Sequence, residues 1–498
     1  MMQAKQLEIS RLASVAPPTV QAIIDGRLMN AASGKTFPVI SPIDGAAIAV
    51  LPECDAADVD RAVTGARAAF ESRRWAGMPP KMRKRVVLAW AELIAAEALE
   101  LAVLESRDMG MPIRMAEDLD IGFAVETLRW YGEAADKIYD ELANLDDQVS
   151  ALIMRAPLGV IGAILPWNAP AMIGAWKLGP ALIAGNSMVL KPAEDASLVC
   201  LRMAELALKA GMPEGVLQAV TGGGEAGAAL AGHMDVDCIT FTGSAEVGRK
   251  IMTAAAASNL KRVSLELGGK SANIVMADAP DLGMAAAVSV DFMFGHQGQV
   301  CEAPTRLLVQ RKVRDRFVDE VVARADALRI GNPLDLANNL GPVVNGSQRD
   351  MILGRIADAD REGIRFALDG RAKTLPSTGF YMAPSIAVSN NPRCSLAQEE
   401  IFGPVLTVLE FDDIDEAIRI ANGTRYGLGA SIWSSNLDTV FHAAKRLVAG
   451  NINVNGGTGP VVELPFGGFK ESGFGRDRSL HAIDKYCDLK NIIIRSSR

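Results

Sequence analysis

Gly159-Val160-Ile161-Gly162-Ala163-Ile164-Leu165 is apolar throughout and runs straight into Pro166-Trp167-Asn168-Ala169-Pro170. An unbroken apolar run bounded by proline reads as a strand buried on both faces, since a half-buried strand would alternate with polar residues. The same rhythm recurs downstream. Ser187-Met188-Val189-Leu190 reads as a second buried strand. A helix over 197–210, a strand over 215–220, a helix over 225–233, a strand over 237–241 and a helix over 245–257 follow. Such alternation builds a parallel sheet with crossover helices, so the chain is α/β. It resumes at Ala272-Asn273-Ile274-Val275 and Arg306-Leu307-Leu308-Val309, then a helix to Ala327, which predicts a second α/β unit.

Upstream, residues 20–54 read as short strands and turns, among them Gln21-Ala22-Ile23-Ile24-Asp25-Gly26. From Asp55 the period changes to three and four: Val59, Ala62, Val63, Ala66, Ala69 and Phe70 share a helix face, with Asp55 and Asp58 placed to cap it. The pattern predicts one long helix over 81–108, closed by Gly110 and Pro112, and another over 113–137. Near the end, Ile492-Ile493-Ile494 reads as a strand that must pair elsewhere, a contact between copies being one option.

The composition sets the class. The chain has 498 residues, 49% hydrophobic and 22% charged, which excludes a disordered chain. Its net charge is −8, the wrong sign for a duplex-binding or polybasic membrane-surface protein, so neither nucleic acid nor membrane is an expected partner. The charge-free stretch from Ala156 to Trp176 carries Pro157, Pro166, Pro170 and Asn168, which suit a buried strand and loop rather than a membrane span. Residues 1–18 hold Lys5, Glu8 and Arg11 with no apolar segment, unlike a secretory signal. The six cysteines, 54, 200, 238, 301, 394 and 487, are scattered, which predicts reduced thiols and a cytoplasmic protein. Only four histidines are present and none falls in a ligand pattern, so no metal is expected. Glycine is frequent, at 46 residues, a sign of many close backbone approaches.

Several short stretches carry chemistry. Gly222-Gly223-Gly224-Glu225-Ala226-Gly227 matches the dinucleotide fingerprint literally, or is simply a strand-to-helix turn. Phe241-Thr242-Gly243-Ser244 also joins a strand to a helix, where backbone N–H groups and the Ser244 hydroxyl could hold a pyrophosphate. Lys191-Pro192-Ala193-Glu194 sets a cation and a carboxylate beside a strand end, for a phosphate, for ribose hydroxyls, or as a solvated pair. Cys301 stands among glycines 295 and 298, either as a small core residue or as an approachable thiol. Glu302 beside it opposes a thiolate, so activation would need a helix terminus, a bound cation or a distant base. Glu266, at the end of Val263-Ser264-Leu265, is either a ligand-facing carboxylate or the partner of Lys270. Asn168 could donate a side-chain N–H to an oxyanion.

Taken in order, Pro166-Trp167-Asn168, Lys191-Pro192-Ala193-Glu194, Phe241-Thr242-Gly243-Ser244, Glu266-Leu267-Gly268-Gly269-Lys270, Gly298-Gln299-Val300-Cys301, Glu400-Ile401-Phe402-Gly403-Pro404 and Pro465-Phe466-Gly467-Gly468-Phe469-Lys470 span nearly the whole chain. This set resembles the NAD(P)-dependent aldehyde dehydrogenase superfamily. The resemblance implies a Rossmann-like cofactor domain (1–131 and 153–265), an α/β catalytic domain (266–479) and a small oligomerisation arm (132–152 and 480–498), in a homodimer or homotetramer. It implies Cys301 as nucleophile, Asn168 as oxyanion donor and Glu266 as the base that hydrolyses a thioester. Superfamily members that pass the acyl group to coenzyme A typically lack that glutamate, so a free acid is the implied product.

By the same resemblance the pyrophosphate lies at Gly243 and Ser244 rather than at 222–227. Lys191 and Glu194 hold the adenine ribose, Glu400 the nicotinamide ribose, and Trp167 and Phe402 flank the cofactor. Glu194 should repel a 2′-phosphate, which favours NAD over NADP. The aldehyde tunnel maps to Ala169, Ile173, Trp176, Val300, Glu302 and Thr458, with one aromatic among them. Small residues there suggest room for a bulky or aromatic aldehyde, whereas Glu302 facing inward would favour a cationic one. The chain departs from the family at His296, Glu302 and Ala303-Pro304-Thr305-Arg306. A thiol esterase or acyltransferase would leave Lys191, Glu194, Ser244 and Glu400 without purpose. A binding protein without turnover would not need Cys301, Glu266 and Asn168.

Overall fold

The computed structural model describes residues 2–457 and 459–495. The apolar run after Gly159 forms the strand Val160–Ile164, buried along its whole length within an eight-stranded sheet. Ser187–Lys191 lies parallel on one side of it and Cys238–Thr242 on the other. Leu217–Ala219 and Arg262–Glu266 extend this parallel set outward. Antiparallel strands close the edges: Ala22–Ile24 with Arg27–Met29 at one, Gly473–Phe474 at the other. The chain thus runs outward from Val160–Ile164 to Leu217–Ala219, then returns to start again on the opposite side. That reversal opens a crevice beyond the carboxyl ends of Val160–Ile164 and Cys238–Thr242, where open α/β sheets bind ligands.

A second sheet of seven strands lies wholly between residues 365 and 368 at one edge and 451 and 454 at the other, with Ala272–Val275 and Arg306–Gln310 near its middle. It is parallel except for the edge strand Arg365–Leu368. A third, three-stranded sheet joins Glu141–Asn144, Val149–Pro157 and Cys487–Arg495, all antiparallel. The isoleucine run 492–494 therefore finds its partner within the same chain, and the central strand continues to Pro157, past the boundary expected at 152.

The helices follow their sequence signals where those are local. Ala56–Glu71 starts on a capping box in which Asp55 accepts from Ala57 N–H and Asp58 reaches back to the Asp55 N–H. Its stripe of Val59, Ala62, Val63, Ala66 and Ala69 is buried.

Two helices differ from expectation. The span over 81–108 is split into Pro80–Ala96 and Ala98–Met109. Glu97 leaves helical geometry at the joint, and its carboxylate takes two hydrogen bonds from Arg202, at 2.6 and 2.7 Å. The span over 113–137 is interrupted by a wide π turn, Ala116–Ile121, before Gly122–Ala134. That turn carries Asp120, whose carboxylate accepts from the N–H groups of Ala171 and Met172. It thereby caps Pro170–Ala184, a helix buried on almost every side. Among the described residues no helix is long and apolar enough to cross a membrane.

Candidate active site

The crevice holds a cavity of about 260 Å³. Pro166, Trp167 and Asn168 enter it from the end of one strand, and Thr242, Gly243 and Ser244 from the end of its neighbour. Leu267 and Gly268, Cys301, and Glu400 with Phe402 complete most of the wall. The structure thus gathers in one place residues separated by more than two hundred positions in sequence.

The helix Ala245–Ala257 points its first turn at this cavity. Ser244 caps it, its hydroxyl accepting from Val247 N–H at 3.3 Å, which leaves the remaining N–H groups of the turn available to an anion. The buried Thr242 hydroxyl in the same wall has no hydrogen-bond partner. Lys191 is buried and its ammonium lies 3.3 Å from the half-exposed Glu194 carboxylate. Trp167 and Phe402 meet edge to face at 5.2 Å. The Phe402 backbone is left-handed, φ 54°, and its carbonyl accepts from the Gln348 side chain at 2.9 Å. Glu400 accepts from Gly269 N–H at 2.9 Å and lies against Gly268, where any Cβ would collide with its carboxylate. Burial pushes Glu400 up to about 7, although the Gly269 N–H works against that shift. A helix terminus, an orphaned hydroxyl and carboxylates at two separate positions together fit a dinucleotide.

The reactive groups lie deeper. Cys301 is partly open to the cavity, and burial of its sulfur pushes the thiol well up, with Glu302, Glu400 and Glu266 adding to the effect. Asn168 donates its side-chain N–H to the Gln299 carbonyl at 3.0 Å, which fixes its amide beside the Cys301 loop. Glu266 ends the strand Arg262–Glu266, is 3% exposed, and neither carboxylate oxygen has a partner. Its pairing with Lys270 does not occur, because the Lys270 ammonium is itself buried without a partner. Glu266 packs instead against Gly467, where a Cβ would lie 2.7 Å from its Oε1. Burial pushes Glu266 well up, Asp477 pushes further, and Lys177 and Lys485 oppose them.

Residues 29–492 match the Aldehyde dehydrogenase family. The chain belongs to the aldehyde dehydrogenase family. It is 44% identical to the NADP/NAD-dependent aldehyde dehydrogenase PuuC of Escherichia coli, over 95% of this chain and 94% of that protein. Aminoacetaldehyde dehydrogenase of Pseudomonas aeruginosa is 42% identical, over 98% of each. Among solved structures, the indole-3-acetaldehyde dehydrogenase AldA of P. syringae, in complex with NAD+ and IAA, superposes with a TM-score of 0.97 at 46% identity, covering 99% of both chains. The chain is accordingly an NAD-dependent aldehyde dehydrogenase, an oxidoreductase that converts aldehydes to acids.

The residues expected to line this aldehyde dehydrogenase's tunnel divide into groups. Ala169, Ile173 and Trp176 are buried at the start of Pro170–Ala184, while Val300 and Glu302 are half-buried on either side of Cys301. Thr458 lies outside the described residues. Trp176 is not alone in its aromatic character: Phe466 lies 5.3 Å away and Phe123 6.3 Å away. Sequence reading did not single out the contact of Phe466 with Trp176, though Phe466 sits inside a quoted motif, nor Arg478, whose guanidinium covers both rings. It also missed Lys177, the first charge after a long apolar run, which pairs with the fully buried Asp477 at 3.0 Å. Asp477 is held from its other side by Lys485.

Arg306, the arginine that the run Ala303-Pro304-Thr305-Arg306 keeps, and His296 both have structural roles. Arg306 is buried and donates to the carbonyls of Lys270, Ile420 and Ala421 at 2.7–2.8 Å, tying its strand to neighbouring loops. His296 is buried in a left-handed backbone, φ 51°, and burial pushes it down to about 4, so it stays neutral. The glycines 222–227 do form a strand-to-helix turn, but the Glu53 carboxylate accepts from Gly223 N–H at 3.4 Å. An acidic side chain there opposes a pyrophosphate, and the stretch lies outside the crevice wall.

Proposed function

We propose that this aldehyde dehydrogenase works through a covalent thioester on Cys301 that water hydrolyses to the free acid. The observation that carries the reading is the shared wall of Cys301 and Asn168, with the partnerless Glu266 carboxylate at the end of the adjoining strand. Cys301 releases its thiol proton to solvent and attacks the aldehyde carbon as thiolate, and the oxyanion so formed accepts from the Asn168 side-chain N–H and the Cys301 backbone N–H. NAD supplies the hydride acceptor. Glu266 then takes a proton from water, a task suited to a carboxylate whose proton affinity is raised by burial. Lys191, Glu194, Gly243, Ser244, Glu400, Trp167 and Phe402 are assigned to holding the dinucleotide.

The domain assignment follows the sheets: the eight-stranded sheet for the cofactor, the seven-stranded sheet for the thiol, and the three-stranded sheet as the arm. Leu489, Ile493 and Ile494 are exposed on the outer strand of the arm, which supports assembly into a homodimer or homotetramer. The six cysteines are all free, which supports a cytoplasmic location.

Two experiments bear on the cofactor assignments. Replacing Glu194 by Gln should raise the NADP to NAD ratio of kcat/KM about three- to tenfold, a modest gain because the carboxylate is half-exposed. An unchanged ratio would remove Glu194 from cofactor choice. Burial pushes the Glu400 carboxyl up to about 7, and its anion is the form that would accept from ribose hydroxyls. NAD binding should therefore tighten as pH rises from about 6 to about 8, and Glu400→Gln should flatten that dependence. A titration of NAD affinity against pH in both proteins checks the sign.

A further inference from the structure

The reaction above leaves Arg478 without a role. Its guanidinium lies 5.0 Å from the Trp176 ring centroid and 4.6 Å from that of Phe466, and the residue is 6% exposed. The loop beneath it is clamped. Asp477 exchanges two backbone hydrogen bonds with Phe466, each 2.8 Å, and its carboxylate grips Lys177, the neighbour of Trp176. On the other side, the Tyr131 hydroxyl donates to the Ser479 carbonyl at 3.0 Å. The cation and the two rings under it are thus held as one unit.

The guanidinium nevertheless lacks an anion. Among the described residues no carboxylate oxygen lies within ion-pairing distance of it, and its buried Nε has no hydrogen-bond partner. Glu302 is the acidic group that its field reaches most strongly, followed by Asp477. Asp477 is already shared by Lys177 and Lys485, and burial pushes the Glu302 carboxyl toward its neutral form. The guanidinium stays protonated regardless. A desolvated cation without a counter-ion is costly, and its planar donor fork matches a carboxylate.

We propose that Arg478 is the anion receptor of the aldehyde passage, and that the preferred substrates are aldehydes bearing a carboxylate at the end remote from the carbonyl. The proposal rests on the assignment of Cys301 as nucleophile, whose sulfur also lies within the field of Arg478.

The test compares succinic, glutaric and adipic semialdehydes with butanal, pentanal and hexanal, and with aminobutyraldehyde, following NADH. The best oxo acid should exceed the alkanal of equal length in kcat/KM by about tenfold or more. Arg478→Gln should lower that ratio by a similar factor, with the loss appearing in KM for the oxo acid, and Arg478→Lys should keep part of it. Equal losses for oxo acid and alkanal would mean that Arg478 is merely structural, and would overturn the proposal. So would a preference for aminobutyraldehyde that Glu302→Gln abolishes. Turnover without any preference overturns the receptor alone, whereas no NADH from any aldehyde overturns the nucleophile reading and the receptor with it.

Discussion

Cys301→Ser is expected to lose aldehyde oxidation by at least roughly three orders of magnitude while still binding NAD. A serine hydroxyl in the same place is far less acidic than a thiol, and the carboxyl groups of Glu302, Glu400 and Glu266 that oppose a thiolate there oppose an alkoxide as well. The residues assigned to the dinucleotide are untouched by the change, and Trp167, packed edge to face on Phe402, offers a fluorescence report of binding. No other thiol can substitute. Cys54, Cys200, Cys238, Cys394 and Cys487 are all buried. Turnover within tenfold of the unaltered enzyme would mean that the nucleophile lies elsewhere.

Glu266→Gln should separate the two halves of the reaction. The amide matches the carboxyl in volume and leaves no buried charge unpaired, so the fold should tolerate it. It cannot accept a proton from water. A burst of NADH close to one equivalent per site should therefore appear, followed by a steady rate lower by about a hundredfold or more. The pH dependence should change as well. Burial raises the Glu266 carboxyl above its ordinary value, and only its ionised form acts as base, so the steady rate should climb with pH through that raised value. The variant should lack this limb, and a variant that kept both the limb and the full rate would exclude Glu266 from hydrolysis.

Features set by neighbours in sequence were legible before the structure. Val160–Ile164 declared itself by an unbroken apolar run, and the Asp55 cap by its spacing to Asp58. Pro166–Asn168, Thr242–Ser244 and Leu267–Gly268 reach one crevice because each follows the carboxyl end of a strand of the eight-stranded sheet, whereas Cys301, Glu400 and Phe402 come to it on loops that precede strands of the seven-stranded sheet. What stayed hidden depends on partners distant in sequence. Glu97 breaks a helix whose apolar period continues through it, because Arg202 claims its carboxylate. The π turn around Asp120 serves the N–H groups of Ala171 and Met172, which no local pattern announces. Glycines 222–227 fit a fingerprint letter for letter, but Glu53 takes up Gly223 N–H. Lys177 and Asp477 meet across three hundred positions, and only that contact shows why the following residue, Arg478, is set over the Trp176 ring.

The covalent thioester is the center of the account, and mass spectrometry reads it directly. Glu266→Gln enzyme mixed with NAD and an aldehyde, then quenched in acid during the stalled phase, should gain the mass of one acyl group per chain. Proteolysis should place that mass on the peptide containing Cys301. A burst of NADH from protein that remains unmodified, or an adduct on any other residue, would contradict it.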